Sequence, residues 1–414
     1  VKDSGRSGSK GRKSGQAGGF KLDAGFASLL FVPFVMVLGN SILIPVLPAM
    51  GSAMNLTPAQ TGLIITAFSV PAAVFIPFAG FLADRFGRKT VMVPSLALYG
   101  LGGFLAVAAA VFLGQKAYGL LMAGRVIQGL GAAGTANIAM ALTGDLYTGG
   151  ARGQALGLLE ASNGFGKVVS PVLGAALGLI VWFAPFLFFA FLTVPVALGV
   201  GLFARDRRPE KAAAAREYLG SILGVFARKG VPLGAALLSG MVVLFLLFGV
   251  LFYLSETLEK DLGRQGVVKG LVLALPMLAS SVSAYFTGTY LQKMTDRRYL
   301  VGGGLTLITA SLASLALVNN PYYLYAAIVF IGIGSGAALA TLNVLVTGSV
   351  PLTQRAMITS DYGAVRFLGV ALGPPLFGLA MGAGNVVLFS LAAALGGLTA
   401  AAAVALIDQK ALTA

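Results

Sequence analysis

The stretch LLEASNGFGKVVSPVLGAALG, residues 158–178, is apolar and Gly-rich yet carries Glu160 and Lys167. A charged side chain in a lipid-spanning helix is expensive, so such residues face the bundle interior and mark ion or substrate paths. At about 100° per residue, Glu160, Asn163, Gly164, Lys167, Pro171, Gly174 and Gly178 fall within about 100° of one another. One helix face therefore carries all the polar groups, and the charges avoid lipid. Glu160 is expected roughly 12 Å inside the bundle and Lys167 roughly 10 Å deeper. Burial favours a protonated carboxyl and a nearby cation favours the carboxylate, so a Glu held between the two influences can exchange a proton. Two other readings compete: a static polar cluster that holds helices together, and a Lys167 that binds an anionic group of a substrate.

Three more ionisable groups fall inside apolar runs. Arg125 lies about seven residues into its run and must be paired or hydrated. Two roles are open to it: setting the proton affinity of an acid such as Glu160, or tying its helix to carbonyls of the first or second span. Asp361 and Arg366 lie about 140° apart around one helix and cannot face the same neighbour. Arg366 shares a face with Gly369 and Gly373 and is expected to point inward; Asp361 joins Glu160, Arg125 and Lys167 as a candidate proton-coupling group. Asn40, Asn137, Asn163 and Arg366, with Phe245, Phe248 and Phe252 of the run LFLLFGVLFYL, are candidates for lining a substrate cavity. For the phenylalanines a lipid-facing position is equally open. Glu256, Glu259 and Asp261 are expected to form a solvated rim.

The elements that position these residues are legible in composition. The chain has 414 residues, 57% hydrophobic and only 10% charged, with a mean hydropathy of +0.89. A soluble protein carries about a quarter charged residues. Apolar runs of about 20 residues recur throughout and indicate a polytopic helical membrane protein. There is no Cys and no His, which excludes disulfides, thiolate metal sites and His-based relays or metal centres. No cofactor or metal is expected. The net charge of +15 does not indicate nucleic acid, because the Lys and Arg residues lie in short connections between apolar runs.

Spans are predicted at about 27–50, 59–83, 91–113, 118–145, 152–180, 182–204, 231–256, 266–291, 299–318, 322–347, 354–380 and 385–407. This is an all-α membrane protein with two six-helix bundles, 27–204 and 231–407. They are joined by a charged linker at 205–230 and flanked by a disordered basic tail at 1–26 and a short tail at 408–414. Of the 29 Lys and Arg, 22 fall on the side of the termini and linker, 4 on the other side and 3 inside spans. The positive-inside rule therefore predicts cytoplasmic termini, in a multi-pass protein of the plasma membrane that touches membrane lipids and acts as a monomer. A shift of 203 residues superposes GLGAAG (129–134) on GIGSGA (332–337), Arg152 on Arg355, and Pro171 on Pro374. Two related six-helix halves are a transporter architecture.

GFLADRFGRKT, residues 80–90, resembles the loop signature of the major facilitator superfamily. The resemblance implies a cytoplasmic gate built from Gly80, Asp84, Arg85, Gly87, Arg88, Asp145, Arg152 and Arg355, with Asp84 meeting the start of span 11 near Arg355 and Arg88 meeting Asp145. The second copy, GTYLQKMTDRR, has Gln292 where an Asp is expected. LMAGRVIQGLGAAG (121–134) resembles the span 4 signature, in which the Arg of proton-linked exporters tunes an acid. GNSILIPVLPAM (39–50) resembles the span 1 signature of the twelve-helix drug:proton antiporters. GKVVSPVLGA resembles their span 5 antiporter signature, carried here by Gly166, Ser170, Pro171 and Gly174 and echoed by Gly369, Gly373 and Pro374. Ser170 replaces the usual Gly before the Pro. The resemblance implies proton-coupled export of lipophilic or amphipathic small molecules by alternating access and no enzyme activity. Export of one native metabolite, such as a siderophore, sugar or lipid-linked compound, is the alternative. A non-transporting receptor on the same fold is the reading from another class.

Overall fold

The computed structural model describes residues 22–206, 215–290, 296–318, 320, 322–351 and 354–413. The basic tail up to residue 21, the linker centre at 207–214 and Gln292 lie outside the described residues. Among those described, the chain is helical with no strand: α1 (Ala24–Ser41), α2 (Leu47–Met54), α3 (Pro58–Phe86), α4 (Arg88–Leu113), α5 (Tyr118–Ala133), α6 (Ala136–Leu146), α7 (Gly149–Gly178) and α8 (Ala184–Phe203) make the first half. The second half holds α9 (Ala215–Lys260), α10 (Gly266–Tyr290), α11 (Arg298–Leu317), α12 (Tyr323–Gly348), α13 (Arg355–Ala380) and α14 (Asn385–Leu406), followed by the short α15 (Gln409–Thr413).

Among the described residues, ten stretches are long and apolar enough to cross a membrane, and one of them, Arg88–Leu146, is 59 residues long and contains two crossings. The helix α7 spans 30 residues but is too polar to be among the ten; it is the helix that carries Glu160 and Lys167. With α1–α2 and α5–α6 each forming one broken crossing, the described helices make twelve crossings. Lys229, at φ −123° and ψ 17°, divides α9 into a linker part and a spanning part. Its Nζ donates to Ser349 O at 2.9 Å and Leu412 O at 2.7 Å, which fixes the start of the second half to the ends of α12 and α15.

Packing repeats between the halves. Gly129 of α5 lies on the Phe68 backbone of α3, and Gly332 of α12 lies on the Pro276 backbone of α10. Gly166 of α7 meets Phe34 of α1, and Gly369 of α13 meets the Met241 backbone of α9. The glycines of the two halves are related by the 203-residue shift, and a side chain at Gly129, Gly332 or Gly369 would collide with backbone. In the membrane, small residues at such crossings replace the hydrophobic driving force with close backbone approach.

Candidate functional site

The end of the bundle that carries the loop signature is organised by Arg88. Gly87, at φ +106°, ends α3 and starts α4, a backbone conformation that favours Gly. Arg88 then reaches Asp84 at 2.7 Å and Asp145 at 3.3 Å. Lys89 Nζ donates to Ala204 O at 3.0 Å, tying the loop to the end of α8. Arg85 is exposed against Phe86. The sequence expectation placed Asp84 against Arg355; instead it pairs within the first half, one helical turn from Arg88, and Arg355 is exposed. Arg152 is also exposed and lies over Gly144. At this end the halves approach at Gly80, where a Cβ would lie 3.8 Å from Ser360 Oγ, and at Gly363, where it would lie 3.6 Å from Asn137.

The opposite end is a closed seam between the halves. Gly62 of α3 lies on the Pro374–Pro375 backbone, Gly378 of α13 on Pro58, and Gly270 of α10 on Pro171. Among the described residues two hydroxyls cross the seam, and both serve carbonyls that a proline has left short of partners. Pro375 has no N–H for Ala371 O; Thr66 Oγ1 donates to that oxygen at 2.6 Å from the other half. Pro48 removes the helical donor of Ile44 O, leaving the tighter bond from Leu47; Ser255 Oγ of α9 donates to it at 2.7 Å. Beside this seam Glu256, 2% exposed, pairs with Lys260 at 2.6 Å, and Lys269, also 2% exposed, pairs with Glu259 at 2.6 Å. The expected solvated rim is thus solvated only in part: Asp261 and Lys260 are exposed, whereas Glu256 and Lys269 are each the buried member of an ion pair.

Arg125 is fully buried, and every polar partner it has is neutral. Nε donates to Ile64 O at 3.0 Å, Nη1 to Gly39 O at 2.8 Å and Gln128 Oε1 at 2.6 Å, and Nη2 to Asn40 Oδ1 at 2.6 Å. The guanidinium also stacks 4.6 Å from the Phe68 ring. Asn40 in turn donates to Ser69 Oγ at 2.8 Å. Arg125 therefore ties α5 to α1 and α3, the structural one of the two roles open from sequence. It faces neither Glu160 nor Lys167. Asn40, 6% exposed, belongs to this centre and not to a cavity wall.

The antiporter residues form the contact of α7 with α1. Gly174 lies against Ile42 O. Pro171 removes the helical donor of Lys167 O, and Ser170 Oγ supplies one at 3.4 Å. The Ser that departs from the family pattern thus repairs the helix beside Lys167. α7 packs on α1 through Ser162, Gly166 and Gly174 and on α10 through Gly164, Pro171 and Ala175. Phe165 and Leu158, well exposed, turn outward. The face between α1 and α10, bearing Glu160, Asn163 and Lys167, points into the bundle. Along it Gly153 and Glu160 are exposed, Asn163 and Lys167 half-buried, Pro171 and Gly174 buried. The interior is accordingly open toward the signature end and shut at the seam.

On α13 the faces divide the same way. Thr66 and Phe68 of α3 meet one side, Gly240 and Met241 of α9 the other. Arg366, with Gly363 and Val370, lies between them on the interior. Its guanidinium stacks 4.9 Å from the Tyr362 ring and its Nε has no hydrogen-bond partner. Lys167 is within electrostatic range of both Arg366 and Glu160. Asp361 lies on the far side of α13 with the exposed Leu372, Leu376 and Leu379, which separates it from Glu160. Two of the expected cavity phenylalanines serve packing instead: Phe252 is fully buried, and Phe245 meets Phe377 edge-on at 5.9 Å. Phe248 is partly buried against the same core.

Two repeated six-helix halves, a seam shut at one end and a charged interior open at the other define a secondary transporter of small molecules. The chain belongs to the Major Facilitator Superfamily, which it matches over residues 29–374 and 236–412. It is 42% identical over 370 residues to the Bacillibactin exporter of Bacillus subtilis, covering 88% of this chain and 92% of that protein. Multidrug efflux protein YfmO of Bacillus subtilis is 26% identical over 359 residues, 85% of each chain. The class C tetracycline resistance protein of Escherichia coli is 24% identical, covering 81% of this chain and 84% of that one. The crystal structure of a D-xylose–proton symporter shares the fold with a TM-score of 0.76 at 13% identity, over 93% of this chain and 98% of that chain. Family membership makes the chain a multi-pass membrane transporter and not an enzyme.

Proposed function

We propose that this transporter exports one native metabolite of the siderophore kind across the plasma membrane, loading it from the signature end; the Lys and Arg distribution supports a cytoplasmic position for that end and for both termini. The observation that carries this reading is the 42% identity to an exporter of bacillibactin across 88% of the chain. The multidrug relatives match at 26%, so the single-metabolite alternative is favoured over broad export of lipophilic compounds. The interior supports it: the expected aromatic wall is taken up in helix packing, and the residues that face the cavity are Glu160, Asn163, Lys167 and Arg366.

Coupling to protons is assigned to Glu160. It sits on the interior face at the open end and shares its electrostatic surroundings with Lys167, whereas Arg125 and Asp361 are directed elsewhere. The test is transport in inverted vesicles that carry only this protein, with bacillibactin and a panel of lipophilic dyes offered in parallel, with and without an imposed pH gradient. Gradient-stimulated uptake of bacillibactin and not of the dyes is expected. Uptake of the dyes alone would establish the multidrug reading in its place.

A further inference from the structure

Lys167 and Arg366 stand on opposite walls of the interior, one in each half. α7 packs mainly on α1 and α10 while α13 packs mainly on α3 and α9, so no extensive helix contact brings the two side chains together. Neither has a carboxylate within 4.0 Å among the described residues. The nearest counter-charge is Glu160, exposed and two turns toward the open end. Two cations with no carboxylate in contact repel at membrane depth, and the low dielectric strengthens that repulsion, which the more distant Glu160 offsets only in part. A fold tolerates such an arrangement where a ligand supplies the missing charge.

We propose that Lys167 and Arg366 form a two-pronged clamp for a multiply anionic cargo, each prong taking a separate acidic oxygen group. This rests on the exporter reading above and specifies the ligand chemistry. Siderophores are chelators whose donor atoms are acidic oxygens, so the chemistry matches. Stacking on Tyr362 fixes the plane of the Arg366 fork, which suits paired oxygen acceptors. Lys167 offers a point charge on a flexible stem and adapts to the second group. Asn163 and Asn137 add neutral hydrogen-bonding groups on the same walls. Cationic compounds would add to the repulsion, so they are excluded from this site. Because the prongs belong to different halves, a cargo that engages both bridges the halves. It then binds one arrangement of them better than the other, which is the requirement for a ligand to drive a conformational change.

The test uses the full chain in lipid nanodiscs, with bacillibactin and citrate as probes and Lys167→Gln, Arg366→Gln and Lys167→Arg as variants. Binding and ligand-free melting temperature are measured together. Each neutralisation is expected to weaken binding by about ten-fold or more and to flatten its salt dependence, while the ligand-free melting temperature stays level or rises as repulsion is removed. Lys167→Arg should bind within a few-fold of the parent. If the parent binds bacillibactin and the neutralised variants bind it equally well, the clamp is wrong and the exporter reading stands. If citrate binds in a Lys167- and Arg366-dependent way and bacillibactin does not, the clamp stands and the siderophore reading fails. Binding of neither anion by the parent overturns both. A lower ligand-free melting temperature in both neutralised variants would show a structural role and also overturn the clamp.

Discussion

Arg125 and Arg366 are both guanidiniums at membrane depth, one in each half, and their surroundings are opposite. Arg125 has four hydrogen bonds to neutral acceptors and an aromatic face. Arg366 has an aromatic face but an unpartnered Nε and a lysine as its electrostatic neighbour. Both carry the desolvation cost of a buried charge. In the first the protein itself returns that cost, so the residue is a structural tie. In the second it does not, so the residue is available to something that enters. Burial of charge in a membrane helix marks importance; the completeness of its hydrogen bonding separates holding the fold from binding a cargo.

Removing Arg125 should have the largest effect. Arg125→Met leaves Gln128, Asn40 and two carbonyls without their donor, and each buried acceptor left unsatisfied costs about 1–3 kcal/mol. Arg125→Lys keeps the charge but cannot reach acceptors on three helices with one ammonium, and should recover only part of the loss. Thermal unfolding in detergent checks both. An unchanged melting temperature with lost transport would make Arg125 a coupling residue after all and erase the contrast with Arg366.

Next is Glu160→Gln, which keeps size and hydrogen bonding but fixes a neutral group on the interior face. Since Glu160 is exposed and makes no hydrogen bond or ion pair to another helix among the described residues, the melting temperature should hold. Gradient-driven export should be abolished while exchange of cargo without a gradient continues. A variant that still pumps at the parent rate would make Glu160 part of the static surroundings of Lys167.

How far these regions were legible in the sequence follows from the range of their interactions. The polar face of α7 is a local pattern and the 203-residue repeat needs only the sequence compared with itself; of the contacts implied by the loop signature, Arg88–Asp145 forms and Asp84 at Arg355 does not. The shared face of Glu160, Asn163 and Lys167 needed only helical periodicity. For Arg125 the tie to carbonyls of the first and second spans was one of the two roles legible in the sequence, and Gly39 O and Ile64 O are those carbonyls; its side-chain partners Asn40 and Gln128 did not show, because periodicity cannot say which neighbours meet. The phenylalanines of α9 failed for the same reason: an all-apolar helix has no polar face to mark which side is core, cavity or lipid. The seam hydrogen bonds left half a signal. Pro48 and Pro375 announce under-bonded carbonyls at Ile44 and Ala371, but the donors Ser255 and Thr66 lie 211 and 305 residues away.

That seam supplies a third test. Thr66→Val keeps shape and removes the donor to Ala371 O, leaving a buried acceptor unsatisfied at a cost of about 1–3 kcal/mol. The cost falls only on the arrangement shut at this end, so the variant should favour its opening. In this Cys-free chain, Thr61→Cys lies beside the seam and is buried. Its labelling from the side away from the termini should rise in the Thr66→Val background. Adding Pro375→Ala should reverse part of the rise, because residue 375 then donates to Ala371 O within its own helix. Equal labelling in all three backgrounds would mean that the crossing hydroxyls do not hold the seam.

The smallest effect is expected at the signature loop, where the charges face water and each other. Asp84 is 42% and Asp145 43% exposed, and exposed ion pairs contribute about 0–1 kcal/mol. In the present arrangement both carboxylates pair with Arg88 inside the first half, so neutralising either one here should scarcely change melting. The two should part in the alternate arrangement, shut at this end, where the family resemblance places Asp84 against the positive N-terminus of α13. A carboxylate there stabilises by about 0.3–1 kcal/mol. Asp84→Asn should therefore bias the protein toward the form open at the signature end, by up to about five-fold in the ratio of the two forms, while Asp145→Asn should not. The readout is labelling of Asn137→Cys, which faces Gly363 across the interior, from the side of the termini. Faster labelling with Asp84→Asn and not with Asp145→Asn would show that Asp84 reaches the second half in the other state. The same rate in both would confine the loop to the first half throughout the cycle, leaving the seam hydroxyls and the Lys167–Arg366 pair as the groups that join the halves.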